Sequence, residues 1–257
     1  MNVNVLAIGD VCGKAGLDFL SDKLPGIKKW GSVAFTVVNG ENVSGVGISP
    51  EQADALFSAG ADVITLGNHT WDVRKIKRYL DDNQYILRPS NYAPQVPGRG
   101  WGVFETEFGN VCVINLLGRA QMHYGSENPF FEVDRVLKKL DTNIVLVDFH
   151  AEATSEKLAL AYYLDGRVSA VWGTHTHVQT SDSCVFAGGT GYITDLGMTG
   201  ARDSIIGMKP QEPVSRFLGN PHERFEPAEG PAKVEGAIFE IDTETGKCVS
   251  CEAIRVI

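Results

Sequence analysis

The sequence predicts an α/β fold, two packed mixed β-sheets flanked by helices, and three observations carry that reading. Apolar runs of strand length alternate with helix-like stretches through the first half. Further strand-like runs follow in the second half with fewer helices between them. A chain of 257 residues, 43% apolar and 21% charged, can bury a full core and is neither disordered nor fibrous in composition.

Residues 3–9 form an apolar run closed by Gly9-Asp10, the pattern of a buried strand ending in a loop. A helix is predicted over 15–29. A second strand over 33–38 runs into Asn39-Gly40-Glu41-Asn42 and a loop holding Gly45 and Gly47. Ser49, Pro50 and Gln52 supply an N-cap, a first-turn proline and a capping-box partner for a helix that runs to Ala59 and stops at Gly60. A strand over 62–66 then leads to Gly67-Asn68-His69, and a helix is expected over 71–80. The Pro- and Gly-rich residues 89–102 read as a surface loop.

Residues 103–107 and 111–116 pair as a hairpin around Gly109-Asn110. A strand over 143–149 enters His150, and a helix over 155–164 follows, with Thr154 or Ser155 as its cap. A strand over 168–172 enters Gly173-Thr174-His175-Thr176-His177. Residues 185–194, 234–241 and 248–256 add further β structure. With no internal repeat or linker, the expectation is a single domain over 1–257.

The net charge of −9 argues against backbone-driven binding to long nucleic acid or to an anionic membrane, since both reward surplus Lys and Arg. No run of roughly 18–20 apolar residues is present, and the N-terminus lacks a basic leader, so a cytoplasmic protein is expected. The five cysteines are odd in number and scattered, which fits reduced thiols. Cys248 and Cys251 form a CxxC on a strand, where residues three apart face opposite ways, so no metal or redox role is expected for them.

Metal-capable residues gather at strand ends. Asp10, then Glu41 and Asn42, then Asn68 and His69, then His150, then His175 and His177 each follow a predicted strand. Ligands of an α/β sheet bind outside the carboxyl ends of its strands, which would collect these residues at one edge. Of the six histidines four fall there, whereas His123 and His222 read as surface-loop residues. Taken alone, each piece has a structural alternative: a turn or cap for Asp10, a loop for Glu41 and Asn42, a left-handed turn for Asn68, a core histidine for His150. His175 and His177 are stronger, because residues two apart on an extended chain project to the same side. Seven oxygen and imidazole ligands suit two metals, and a set without cysteine favours iron or manganese over structural zinc.

In this order, Gly9-Asp10, Asn39-Gly40-Glu41-Asn42, Gly67-Asn68-His69, His150 and Gly173-Thr174-His175-Thr176-His177 resemble the calcineurin-like metallophosphoesterases. The runs Gly67-Asn68-His69-Thr70-Trp71-Asp72, Asp148-Phe149-His150-Ala151-Glu152-Ala153-Thr154-Ser155-Glu156-Lys157 and Tyr192-Ile193-Thr194-Asp195-Leu196-Gly197-Met198-Thr199-Gly200 are similar to the YmdB-type branch, over essentially the whole chain. The resemblance implies a four-layer metallophosphoesterase sandwich. It implies a first metal on Asp10, Glu41, Asn42 and His177, and a second on Glu41, Asn68, His150 and His175, with Glu41 bridging. Where the wider superfamily has Asp-x-His, this chain has Cys12, and the usual bridging Asp is Glu41. Cys12 either approaches the first metal or fills a tight turn; the turn is the expectation.

Activity on small phosphodiesters, 2′,3′-cyclic nucleotides above all, is what the branch implies. Hydroxide generated at the metal pair would attack, and His69 would protonate the leaving oxygen. The same centre would serve a phosphomonoesterase, and a regulatory protein binding metal or nucleotide with little catalysis is the reading from another class. A small phosphodiester is the expected partner, without long nucleic acid or membrane, and a homo-oligomer is compatible with the sequence. Orienting partners for the three ligand histidines remain open among Thr174, Thr176, Asp148 and Glu152. Asp195, Met198 and Thr199 either line the cleft or form a structural turn. Lys157 and Arg119 default to a solvated helix face and a loop, with phosphate contact as the alternative.

Overall fold

The computed structural model describes residues 1–122, 125–220 and 224–257, so His123 and His222 lie outside the described residues. From the N-terminus come β1 (Asn2–Ile8), β2 (Asp10–Val11), α1 (Gly13–Trp30), β3 (Val33–Asn39), α2 (Pro50–Ala59), β4 (Val63–Thr65), α3 (Ile76–Asp82) and β5 (Ile86–Leu87). The middle holds β6 (Trp101–Thr106), β7 (Gly109–Leu117), α4 (Pro129–Leu137), β8 (Ile144–His150), α5 (Thr154–Leu164) and β9 (Ala170–Thr174). The chain ends with β10 (Cys184–Val185), β11 (Gly191–Ile193), β12 (Met198–Ala201), α6 (Gln211–Phe217), β13 (Ala232–Asp242) and β14 (Cys248–Val256).

The strands form two sheets. One has the order β2-β12-β13-β1-β3-β4-β5 with β14 also on β13, and the other β10-β11-β9-β8-β7-β6. Both are mixed: β1, β3, β4 and β5 run parallel beside antiparallel β13, and β7, β8, β9 and β11 run parallel between antiparallel β6 and β10. Side-chain alternation along a strand then separates two faces. Val3, Val5 and Ala7 of β1 meet Val113, Leu146 and Trp172 between the sheets, while Leu6 and Ile8 pack beneath α1 and α2 with Leu20, Leu24 and Leu56. The outer face of the second sheet is covered by Val133 and Val136 of α4 and Leu160 and Leu164 of α5. The result is the expected α/β arrangement of two packed sheets flanked by helices.

Local signals mostly act as the sequence suggests. Ser49 and Gln52 form a reciprocal capping box at the start of α2, and Gly60 ends it at φ 116°. Helix α5 begins one residue earlier than expected, with Ala153 at the cap and neither Thr154 nor Ser155 capping it. The helix expected over 71–80 starts only at Ile76. Its first part is instead a set of turns, held by the Thr70 hydroxyl on the Gly67 carbonyl (2.7 Å) and by His69 on Asp72 (2.7 Å). Cys248 and Cys251 do not face opposite ways: a bulge in β14 shifts the register between Glu240 and Ile241, and both sulfurs pack toward the inter-sheet core. All five cysteines are free, and burial pushes the Cys248 and Cys251 thiols up to about 12. No helix among the described residues is long and apolar enough to cross a membrane.

The two sheets are tied by polar side chains as well as by apolar packing. Buried Asn115 of β7 donates to the carbonyls of Leu66 (2.6 Å) and Leu87 (2.9 Å), which follow or end strands of the other sheet. This pins the segment that leads into Asn68. Replacing Asn115 with Leu leaves the Leu66 carbonyl without this partner, while the Leu87 carbonyl keeps the Leu66 N–H at 2.9 Å, and the expected loss is about 1–3 kcal/mol of unfolding free energy. Chemical denaturation measures it; an unchanged midpoint would show that the tie is not needed.

Candidate metal centre

All seven candidate ligands converge on the seam between the sheets. Asp10 lies on β2, directly after β1; Glu41 and Asn42 follow β3; Asn68 follows β4; His150 ends β8; His175 and His177 follow β9. The seat of Asp10 is made by residues 195–199: β12 runs parallel to β2, pairing Met198 with Asp10, and the Asp10 N–H donates to the Gly197 carbonyl at 3.2 Å. Asp195, Met198 and Thr199 therefore build the wall behind Asp10.

Two half-sites share one carboxylate. In the first, Asp10 Oδ1 lies 3.7 Å from His177 Nε2, and Asn42 Nδ2 lies 3.1 Å from the same nitrogen and 3.2 Å from Glu41 Oε1. In the second, His150 Nε2 lies 2.9 Å from Glu41 Oε1, 3.0 Å from Asn68 Oδ1 and 3.0 Å from His175 Nδ1. Glu41, His150 and His175 alone place a carboxylate oxygen and two ring nitrogens within 4.8 Å of one another.

The donor set asks for cations. One proton on His150 Nε2 faces three groups that can each accept it, and it satisfies only one well. Asp10 Oδ1 is buried and has no hydrogen-bond partner, a costly arrangement for an oxygen unless a cation compensates it. The Asn42 amide presents its Nδ2 to Glu41 and His177, and turning it would present the oxygen instead. The residues present therefore fit a pair of divalent metals.

Electrostatics tell the same story. Burial would raise the Glu41 carboxyl, but His150 outweighs it and brings it down to about 2. Burial would strip the His150 imidazole of its proton, yet Glu41, with Asp10 and Asp148, raises it to about 9. Burial also lifts Asp10 to about 6, partly opposed by His177 and His150. His175 is driven down to about 3 by burial and by the charge of His150, so it stays neutral as a ligand must.

Each candidate ligand histidine has its remote nitrogen held. His150 Nδ1 meets Thr174 Oγ1 at 2.9 Å, and that hydroxyl donates to buried Asp148 at 2.8 Å. His175 Nε2 lies 3.1 Å from Glu152, and His177 Nδ1 donates to the Ile206 carbonyl at 2.8 Å. These bonds hold a proton on each outward nitrogen, so the inward nitrogens are the ones that would face a cation once His150 gives up its Nε2 proton. Thr174, Asp148 and Glu152 thus take the roles left open by the sequence, and Ile206, a backbone partner, carries no sequence signal at all. His175 and His177 do not reach the centre by strand alternation. Both are left-handed, at φ 101° and 63°, and the turn sends one to each half-site.

Lys157 is not on a solvated helix face. It is buried against Asp195 at 2.7 Å, and the same carboxylate oxygen accepts the Thr176 N–H at 3.2 Å, so the pair braces the turn between the two ligands. Arg119 is exposed, its backbone N–H held by Glu156. Cys12 is not in the expected tight turn but in extended backbone at the N-cap of α1, bridged to Asn42: it is buried, a Cβ on Gly207 would meet its sulfur at 2.2 Å, and burial followed by the charge of Asp10 pushes its thiol up to about 12. His69 stands at the edge, half-buried, with its N–H on Glu41 Oε2 at 3.0 Å and its Nδ1 on Asp72 at 2.7 Å. Asp72 was visible only as part of a motif; its spacing of three from His69 is the signal that could have given it a role.

With this geometry in place, the likenesses to known proteins become informative. A family model described as YmdB-like protein matches residues 6–254. The 2′,3′-cyclic-nucleotide 2′-phosphodiesterase of Bacillus subtilis (strain 168) is 42% identical over 257 residues, covering 99% of this chain and 97% of that protein. A crystal structure of a Mycoplasma pneumoniae phosphatase superposes with a TM-score of 0.94 at 34% identity, covering 100% of this chain and 94% of the other. A crystal structure of a hypothetical protein from Thermus thermophilus superposes with a TM-score of 0.93 at 38% identity, covering 99% of both chains.

Two outcomes follow for metal binding. A cation and the proton of His150 compete for Nε2, and with the folded imidazole at about 9, raising the pH removes the proton. Apparent metal affinity is therefore expected to rise about tenfold per pH unit between about pH 7 and 9; a chelator-competition titration that is flat over this range would remove His150 from the metal. Gly67 has no room for a side chain, since a Cβ would lie 2.3 Å from His150 Cδ2 and 2.5 Å from Glu41 Oε2. Gly67→Ala is expected to weaken metal binding by about 10- to 100-fold, read by calorimetry; wild-type affinity would contradict the crowding.

Proposed function

The chain belongs to the YmdB-like family, and from that premise we propose that its strand-end cluster is a two-metal centre hydrolysing small phosphodiesters, specifically 2′,3′-cyclic nucleotides. That the protein is a phosphoesterase follows from its relatives. The observation that carries the finer reading is the sharing of Glu41 between two half-sites, with His69 bonded to the same carboxylate. Asp10, Glu41, Asn42 and His177 would hold one cation, and Glu41, Asn68, His150 and His175 the other. Oxygen and imidazole donors without a thiolate favour iron or manganese. When bound, the two cations supply an activated water and neutralise charge on the phosphoryl oxygens.

What remains for the protein is to hold substrate and move a proton. Asp72 orients the His69 ring through Nδ1, and in the doubly protonated ring Nε2 would be the donor of the proton to the leaving oxygen. On this reading the P–O2′ bond would break as a water-derived oxygen bonds to phosphorus, and O2′ would take the His69 proton, giving a nucleoside 3′-monophosphate. The name of the Bacillus subtilis relative supports this choice of bond. An acidic chain with net charge −9 supports a small substrate over long nucleic acid. Free cysteines support a reducing compartment, so the proposal places the protein in the cytoplasm as one domain over 1–257.

The test is turnover of 2′,3′-cyclic AMP by manganese-loaded protein with and without a chelator. Chelator-sensitive hydrolysis is expected, and His69→Ala should lower kcat by about 10²- to 10⁴-fold while retaining its metal. Loss of metal in that variant would make His69 a ligand instead. Turnover of phosphomonoesters in place of the cyclic diester would move the assignment to a phosphomonoesterase.

A further inference from the structure

Two exposed β-branched residues sit on the rim of the metal centre where stability gives no reason for them. Ile205 and Met208 exchange N–H···O bonds of 2.9 and 3.0 Å, closing a two-residue hairpin turn. Its central residues, Ile206 and Gly207, are both left-handed, at φ 46° and 98°. This is the pattern of a type I′ turn, whose first central position favours Asn, Asp or Gly, because a β-branched side chain crowds its own backbone there. Burial does not compensate, since Ile206 is 52% exposed. The carbonyl of the same residue holds His177 Nδ1 at 2.8 Å, which places the turn against the candidate ligands.

Val46 is a second exposed aliphatic side chain, in ordinary rather than left-handed backbone. It stands between left-handed Gly45 and Gly47, at φ 86° and 78°, and is 48% exposed. Its loop leaves directly from Asn42, whose carbonyl accepts the Gly45 N–H at 2.8 Å and whose side chain lies 3.1 Å from His177. Pro227 joins the two turns. A Cβ on Gly45 would lie 2.8 Å from Pro227 Cγ, Met208 pairs with Pro227, and the Ala228 N–H donates to the Gly207 carbonyl at 2.8 Å.

We propose that Val46 and Ile206 form an apolar lip, beside the half-site of Asp10, Asn42 and His177, against which the nucleobase of the substrate packs. The proposal rests on the nucleotide reading above and assigns the part of the substrate that the metals do not touch. The cluster itself is polar and charged, so it selects phosphate; a flat, neutral base needs apolar surface to leave water. Branched aliphatic side chains offer contact without hydrogen-bond readout. Purine and pyrimidine nucleotides are therefore both accepted, and the larger purine gains more.

Ile206→Asn, Val46→Ser and the double variant test this in manganese-loaded protein. The reading is the ratio of kcat/KM for 2′,3′-cyclic AMP to that for glycerol 1,2-cyclic phosphate, a similar cyclic diester without a base. Any general damage to the centre cancels in this ratio. The double variant is expected to lower it about tenfold, while Ile206→Asn raises Tm by about 2 °C because Asn suits the turn. An unchanged ratio overturns the lip. Wild-type protein that hydrolyses neither diester would fail the diesterase reading, and the lip is then judged by calorimetry. Affinity for adenosine 3′-monophosphate relative to inorganic phosphate should fall by the same factor in the double variant, and an unchanged ratio of affinities overturns it.

Discussion

A fully buried carboxylate shared between two clusters is the constraint on which this structure turns. Glu41 has no accessible surface, yet it meets the Asn42 amide, the His150 ring and the His69 N–H. A charge so placed is costly unless its partners are held rigidly. The surroundings supply that rigidity from both sheets: Asn39 receives the Glu41 N–H, Gly67 leaves room for His150, and Asp148 is fixed by Thr65 and Thr174 behind it. Burial raises the Asp148 carboxyl, so even this supporting carboxylate is held at some expense.

The ends of β1, β3, β4, β8 and β9 were legible in the sequence because each is an apolar run stopped by Gly, Asp, Asn or His. Topology then does what chain order cannot, bringing Asp10 and His177 to one place through 167 positions of separation. The proposed ligand set follows from composition at those ends. What holds the ligands was harder to read. The partner of His177 is a backbone carbonyl, and no residue type announces one. Left-handed backbone at His175 and His177 cannot be read from histidine, which has no strong preference for it.

Other misses have equally specific causes. Lys157 looks like a solvated helix residue until Asp195, on a distant segment, supplies the opposite charge in the interior. Residues 71–75 carry a helical pattern, but side-chain bonds from Thr70 and His69 offer the backbone turns instead. A single extra residue in β14 reverses the expected facing of Cys248 and Cys251. The first and last depend on a contact between segments far apart in sequence or on a one-residue register change, which local patterning does not encode; the turns at 71–75 come from local side-chain bonds that helical periodicity does not count.

The division of labour in the site follows from the same geometry. In the proposed site, buried groups would bind charge, half-buried His69 would meet the leaving oxygen, and the exposed rim would meet the rest of the substrate. The most direct test of the shared carboxylate is anomalous diffraction from crystals of the manganese-loaded protein. Two peaks per chain, flanking the Glu41 carboxylate with His177 on one and His150 and His175 on the other, are the expected result. A single peak, or metal bound away from Glu41, would contradict the two-metal centre.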